Sequence, residues 1–355
     1  LLDDAGRVVE QERFDAATVT DNALRDFRFS PEPDSAGRAY TIQLAANSMP
    51  GAANTVWSDT VDRYPGVWAT NGALQLGDLA LEWRYQPALA TLVAAAAQGL
   101  ARYGLSLLLV SLLWTLPGLA LLVWLRPPGA APWSVQGLLA SAAVVSGALL
   151  VILPQLTTLA GLRLGPWAVW TLLLASLLLL LLARRREARR IPFQGKAQGD
   201  IVMRPDGITA LYLTVLGLVV ASRFLALHPA SAPLWGDSVH HALITQLVLD
   251  RGGIPDDYLP YVPLASLTYH AGFHVLSGWL AWSVLPGTSP LSASDVVLLT
   301  GQLLNVWAIV AVGLLAEGLA RPWARAGQAR WAGVLAILFA GLLNPMPAFY
   351  VNWGR

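Results

Sequence analysis

The feature that most restricts this chain is a series of long, almost uncharged apolar stretches at residues 105–125, 133–153, 165–182 and 208–227. Each is near the roughly 20 residues that an α-helix needs to cross about 30 Å of hydrocarbon. No water reaches backbone N–H and C=O groups in that medium, so each stretch must bond within itself as a helix. A barrel strand would instead alternate lumen and lipid faces. The expected fold is a polytopic α-helical membrane protein. Composition agrees, with 55% hydrophobic and 13% charged residues and a mean hydropathy of +0.52, the excess lying beyond Ala88. A net charge of +1 gives no reason to expect nucleic acid as a partner. The absence of cysteine removes disulfides, thiol nucleophiles and thiolate metal sites. The chain opens at Leu1-Leu2-Asp3-Asp4 and closes at Asn352-Trp353-Gly354-Arg355, directly after an apolar stretch, so both ends read as cut.

Residues 1–87 are polar by comparison and read as a small β domain. Residues 39–45 alternate, with Tyr40, Ile42 and Leu44 on one face. The dipeptide Asn71-Gly72 predicts a tight hairpin turn, followed by a strand over 74–85 with Leu79, Leu81, Trp83 and Tyr85 on one face. Pro31, Pro33, Asp34-Ser35 and Tyr64-Pro65-Gly66 supply further turns, a spacing that suggests a sandwich or jelly roll. Such a domain can bind a sugar or brace its neighbour. The alanine-rich residues 88–104 read as a linker helix running into the three spans of 105–190.

Orientation comes from Arg184-Arg185-Arg186-Glu187-Ala188-Arg189-Arg190 after the third span. Basic runs beside spans mark the cytoplasmic side. Residues 184–207 are then inside, the N-terminal β domain is outside, and the span at 208–227 emerges outside near His228-Pro229.

The outer segment 228–262 gathers carboxylates and imidazoles. Asp237 or Ser238 is placed to cap a short helix, with Val239, Ala242, Leu243 and Leu247 as its apolar stripe and His240, His241 and Gln246 largely elsewhere. Arg251, Gly252-Gly253 and Asp256-Asp257 follow. The next apolar stretch, 263–285, carries His270 and His274 on one helical face. Ionisable groups in such a stretch turn to the bundle interior or to a wet cavity. Interhelical hydrogen bonds are the plainer role for these histidines, and helix capping the plainer role for Asp237. A zinc site from His240, His241, His270 and His274 is the sharper alternative, although adjacent residues point apart on a helix and no HExxH is present.

Ser292-Ala293-Ser294-Asp295 is a capping box that starts a helix over 296–319, on which Gln302 and Asn305 are placed to tie helices together. Arg321, Arg325 and Arg330 follow, and a last apolar stretch runs over 331–343 to the break at Asn344-Pro345-Met346-Pro347. If 263–285 crosses the membrane, these arginines lie outside, against the positive-inside expectation. If it is re-entrant, they lie inside. Both topologies stay open at this point.

From Trp235-Gly236-Asp237 through Tyr261-Val262-Pro263-Leu264 to Tyr269-His270-Ala271-Gly272-Phe273-His274, the chain resembles the opening of the polytopic GT-C membrane glycosyltransferases, which use polyprenyl-phosphate sugars. In that family a first outer loop carries an acidic residue and a surface helix. The resemblance covers residues 208–355, so the β domain and the first three spans read as an added module. It implies a GT-C-like bundle in the plasma membrane, a lipid-linked sugar donor, and a glycan, lipid or protein acceptor in the cell envelope. It also implies Asp237 as base or acceptor-orienting carboxylate. His240, His241, Arg251, His270 and His274 would contact phosphate or sugar, and Asp256 and Asp257 would be secondary acids or ligands for Mg2+ or Mn2+. A transporter or flippase of lipid-linked substrates, and a non-enzymatic envelope protein with a sugar-sensing β domain, are the rival functions.

Overall fold

A computed structural model describes residues 1–15, 18–19, 25–30, 35, 38–45, 56–59, 66–81, 89–127, 135–190, 206–225, 227 and 236–344. The N-terminal part contains short antiparallel pairs. β2 (Trp68–Thr70) and β3 (Ala73–Gln75) form the hairpin that Asn71-Gly72 predicts, with Trp68 opposite Gln75 and Thr70 opposite Ala73. Asn71 and Gly72 both take positive φ, 50° and 79°, the conformation that matches a two-residue turn to the twist of its strands. β1 (Ser58–Asp59) pairs with β4 (Asp78–Leu79). The strand expected over 74–85 is therefore broken after Gln75, where Gly77 turns the chain at φ 73°. Within 39–45 only Thr41 makes a bridge, to Leu2. Among the described residues the strands pair two by two, while Trp83 and Tyr85 lie outside those residues.

The described residues beyond Leu89 are mostly helical. Among the described residues, five helical segments are long and apolar enough to cross a membrane: Val93–Leu125, Gly137–Leu159, Pro166–Arg186, Gly207–Leu225 and Ala293–Ala320. The first is built from α1 (Leu89–Leu113) and α2 (Leu116–Leu125), so the expected linker continues directly into the span. The break between them falls one turn before Pro117, which has no N–H to offer the preceding turn. Then come α3 (Val135–Leu159), α4 (Pro166–Arg190) and α5 (Gly207–Leu225). α2 and α3 cross closely at Gly118, whose backbone N–H, an orphan of the helix start, donates to Ser146 Oγ at 2.8 Å.

α6 (Gly236–Arg251) and α7 (Gly272–Trp282) pack against each other and on α8 (Ala293–Ala320). The 11 residues of α7 rise only about 16 Å, too short to cross. Their contacts also keep them at one end of the bundle. Gly252 closes α6 with φ 64°, and its carbonyl accepts from Leu164 N at 2.6 Å in the α3–α4 loop. Beyond α7, Val284 O accepts from Trp170 Nε1 at 3.3 Å, one turn into α4. Residues 263–285 thus leave and return at the same end.

α8 starts beside α1, where Asp295 meets Arg102 and Tyr103, and ends beside the start of α3, where Arg321, Gly137 and Ser141 line one groove of about 460 Å3. α9 (Ala326–Leu338), extended by a π-helical turn Phe339–Leu343, begins beside the start of α5: Arg330 grips Asp206 with two hydrogen bonds of 2.5 and 2.7 Å. The two residues are 124 positions apart in sequence. The Arg330 guanidinium and the Thr209 N–H hold the Asp206 carboxyl well below the usual carboxylate range. Arg186 stacks over Trp124 at the same end. Arg321 and Arg330 therefore share one end of the bundle with the basic run that follows the third span.

Within the bundle, Arg223 of α5 is 6% exposed. It donates to Asn305 Oδ1 at 2.7 Å and to the Gly341 carbonyl at 2.6 Å, tying α5, α8 and the π turn together. This gives Asn305 the helix-joining role expected for it. The main core lies around Trp279, Trp282, Leu113, Leu150 and Val296, where α7 meets α1, α3, α4 and α8.

Candidate functional site

α6 begins at Gly236, so Asp237 and Ser238 both lie inside its first turn rather than capping it. There the exposed Asp237 carboxylate complements the positive end of the helix dipole. Ser238, Ile244, Thr245, Leu247 and Val248 are buried, while Val239 is 38% exposed. The buried face is rotated from the expected stripe because α6 is covered on two sides. α7 and α8 press on one, and the loop bearing Tyr258, Val262 and Leu267 on the other.

That arrangement brings His240 and His241, which point apart on α6, into different contacts. His240 Nε2 lies 2.8 Å from Tyr258 Oη with the rings stacked. His241 Nδ1 lies 3.0 Å from His274 Nε2, and His274 Nδ1 donates to the His270 carbonyl at 3.0 Å. Tyr269 stands edge-on to His240 and His241, at 5.0 and 5.7 Å between ring centres, and Phe273 closes the His241 side at 5.4 Å. The His270 ring is exposed beside Tyr269.

No protein-family model, no curated protein and no solved structure matches this chain.

Other residues singled out in the sequence are engaged separately. Arg251 is clamped by Asp256 and Asp257, one carboxylate on each terminal nitrogen, and also donates to the Leu259 carbonyl at 3.2 Å. Asp257 accepts from Leu259 N at 2.8 Å as well. The trio closes the 252–260 turn; a cation at the two aspartates would have to displace the guanidinium. Among the described residues no three His, Cys, Asp or Glu side chains converge as a metal would require. The four imidazoles considered for zinc are divided between a tyrosine, each other and solvent.

A second polar centre lies at the same end, joined by residues far apart in sequence. Asp295, 6% exposed, accepts from Tyr103 Oη at 2.9 Å, Arg102 Nη2 at 3.4 Å and Ser292 Oγ at 2.8 Å. The capping box marked Ser292 and Asp295 locally, but Tyr103 is 192 residues away in sequence. Tyr258 likewise carries no local signal, since no spacing links it to His240.

Burial is the main reason that both imidazoles at the α6–α7 contact lose protons easily. His274 is pushed down from the ordinary 6.5 to about 4, and His241 is lowered as well, by burial and then by His240, against the opposing field of Asp237. At pH above 6.5 the His274 ring is neutral in folded and unfolded chains, so its contribution to stability is complete. As pH falls from 6.5 towards 4 the unfolded chain takes up a proton that the folded chain refuses, and stability drops by up to roughly 3 kcal/mol. Thermal unfolding midpoints measured between pH 7.5 and 4 should fall through that window. His274→Gln should flatten the fall; an unchanged slope would assign it to other groups.

Proposed function

We propose that this chain belongs to a membrane glycosyltransferase that moves a sugar from a polyprenyl-phosphate donor to an acceptor outside the cytoplasm. The observation that carries the reading is the gathering of Asp237, His240, His241, Tyr258, Tyr269, His270 and His274 at one end of an apolar bundle. Glycosyl transfer needs a group that takes the acceptor's hydroxyl proton as the sugar–phosphate bond breaks, and donors that steady the departing phosphate. Asp237, exposed at the start of α6, and the partly exposed His241 beside it supply groups of the kind that this chemistry uses. A lipid-linked donor suits the location: its tail stays between helices while its head reaches the α6–α7 surface.

Sidedness follows the positive-inside rule applied to the end that carries Arg184, Arg185, Arg186, Arg321 and Arg330. That end is cytoplasmic, and the α6–α7 end faces outward together with the N-terminal domain. The latter, a sandwich or jelly roll, braces the outer face or holds the acceptor glycan. The transporter reading is less well supported, because it needs polar groups lining a central route. The buried Arg223 and Asn305 instead satisfy one another and the Gly341 carbonyl.

The test supplies the full-length protein, in lipid, with a panel of polyprenyl-phosphate sugars. Wild type should transfer or hydrolyse one of them, and Asp237→Asn should lower turnover roughly 10²-fold or more. Full turnover by the variant would remove Asp237 from the chemistry. Inertness of wild type towards the whole panel would count against the enzyme.

A further inference from the structure

The hydrogen bonds between α6 and α7 dictate which nitrogen of His241 carries a proton. His274 is 0% exposed, and its Nδ1 stands 3.0 Å from the His270 carbonyl oxygen. A carbonyl can only accept, so the hydrogen of the neutral His274 ring is on Nδ1 and its lone pair is on Nε2. That lone pair is met at 3.0 Å by His241 Nδ1, which must therefore be the donor. The lone pair of His241 is left on Nε2, on the opposite edge of the ring. A buried polar group thus sets the tautomer of a partly exposed one, as orienting partners do for catalytic histidines.

We propose that His241 Nε2 is the proton acceptor of this site and that His274 is a positioning residue that holds His241 in the competent tautomer. The assignment deepens the glycosyltransferase reading and rests on it for the identity of the reaction. As the acceptor O–H bond breaks, its proton passes to His241 Nε2 and the oxygen's electron pair forms the bond to the anomeric carbon. The bond from that carbon to the phosphate oxygen breaks, and its electrons leave with the lipid phosphate. The resulting imidazolium keeps its Nδ1–H on His274. It also gains the field of Asp237, which lies four residues earlier, one turn away on the same helix. Asp237 then stabilises the charge that His241 acquires. Of the other groups facing His241, His240 disfavours that charge and is turned onto Tyr258, while Tyr269 presents a ring edge.

Ring-15N histidine in the full-length protein, reconstituted in lipid nanodiscs, reads the tautomers directly. At pH 7.5 His241 should show a protonated Nδ1 and a bare Nε2. His274→Phe should let His241 spread over both tautomers, and His274→Gln, whose Oε1 can accept from Nδ1–H, should restore the single form. In the transfer assay His241→Asn keeps a side-chain N–H for His274 but has no base. Its kcat should fall roughly 10²-fold or more with donor KM little changed, and the acid limb of the pH profile should vanish. A hydrogen on Nε2 of wild-type His241, or wild-type kcat in His241→Asn, overturns the assignment. If wild type transfers no sugar, the glycosyltransferase reading fails and the assignment of His241 as base in sugar transfer fails with it. The nitrogen spectrum still decides the tautomer by itself.

Discussion

Gly118→Ala is expected to unseat α2 from α3 and to cost at least about 3 kcal/mol, near the upper end of ordinary overpacking. A Cβ at Gly118 would stand 2.8 Å from the Ser146 backbone nitrogen and closer still to the Ala142 carbonyl oxygen. Backbone on both sides cannot yield as the tip of a side chain would, so the helices must separate. Separation also breaks the Gly118 N–H bond to Ser146 Oγ and leaves a buried donor unmet. Gly147→Ala is the control, because a Cβ there meets nothing within 4 Å. It should be neutral or stabilise by up to about 1 kcal/mol through helix propensity. Unfolding midpoints of the two variants in the same detergent measure the contrast. Equal midpoints would mean that the close crossing contributes nothing.

Trp279→Phe is expected to destabilise by about 2–4 kcal/mol, and the reason lies on a different helix. Pro154 sits inside α3 and has no N–H, so the Leu150 carbonyl one turn earlier lacks its helical partner. The indole N–H of Trp279, itself 0% exposed, donates to that carbonyl at 2.8 Å. Phenylalanine would leave the carbonyl buried and unmet, and a void beside it. Pro154→Ala supplies the missing backbone N–H, so the two substitutions should couple: in the alanine background Trp279→Phe should cost about 1–2 kcal/mol less. A double-mutant cycle reads the coupling, and strict additivity would refute the link between the proline and the tryptophan.

Both cases mark the boundary of what was legible beforehand. The spans at 165–182 and 208–227 could be read because hydrocarbon imposes length and internal bonding on each segment alone. Asn71-Gly72 could be read because the turn conformation belongs to two residues, and Ser292 because a cap bonds within its own first turn. Residues 263–285 could not be read in this way. Their apolar content suffices for a span, but whether Gly272–Trp282 crosses depends on what receives it. The Leu164 N–H holds Gly252 ahead of this stretch and the Trp170 indole holds Val284 at its close, both at the same end of the bundle.

The candidate site divides along the same line. The sequence by itself determined a membrane-spanning helical chain, its basic runs, and a segment rich in histidine and aspartate, since each follows from local composition against the solvent it meets. Only the tertiary structure decided that Arg251 closes on Asp256 and Asp257, that His240 turns to Tyr258, and that His241 meets His274. These pairings depend on how helices rotate to bury their faces, and that rotation is set by every neighbour at once. α6, covered on two sides, buried Ser238 and Thr245 and left Val239 in the open.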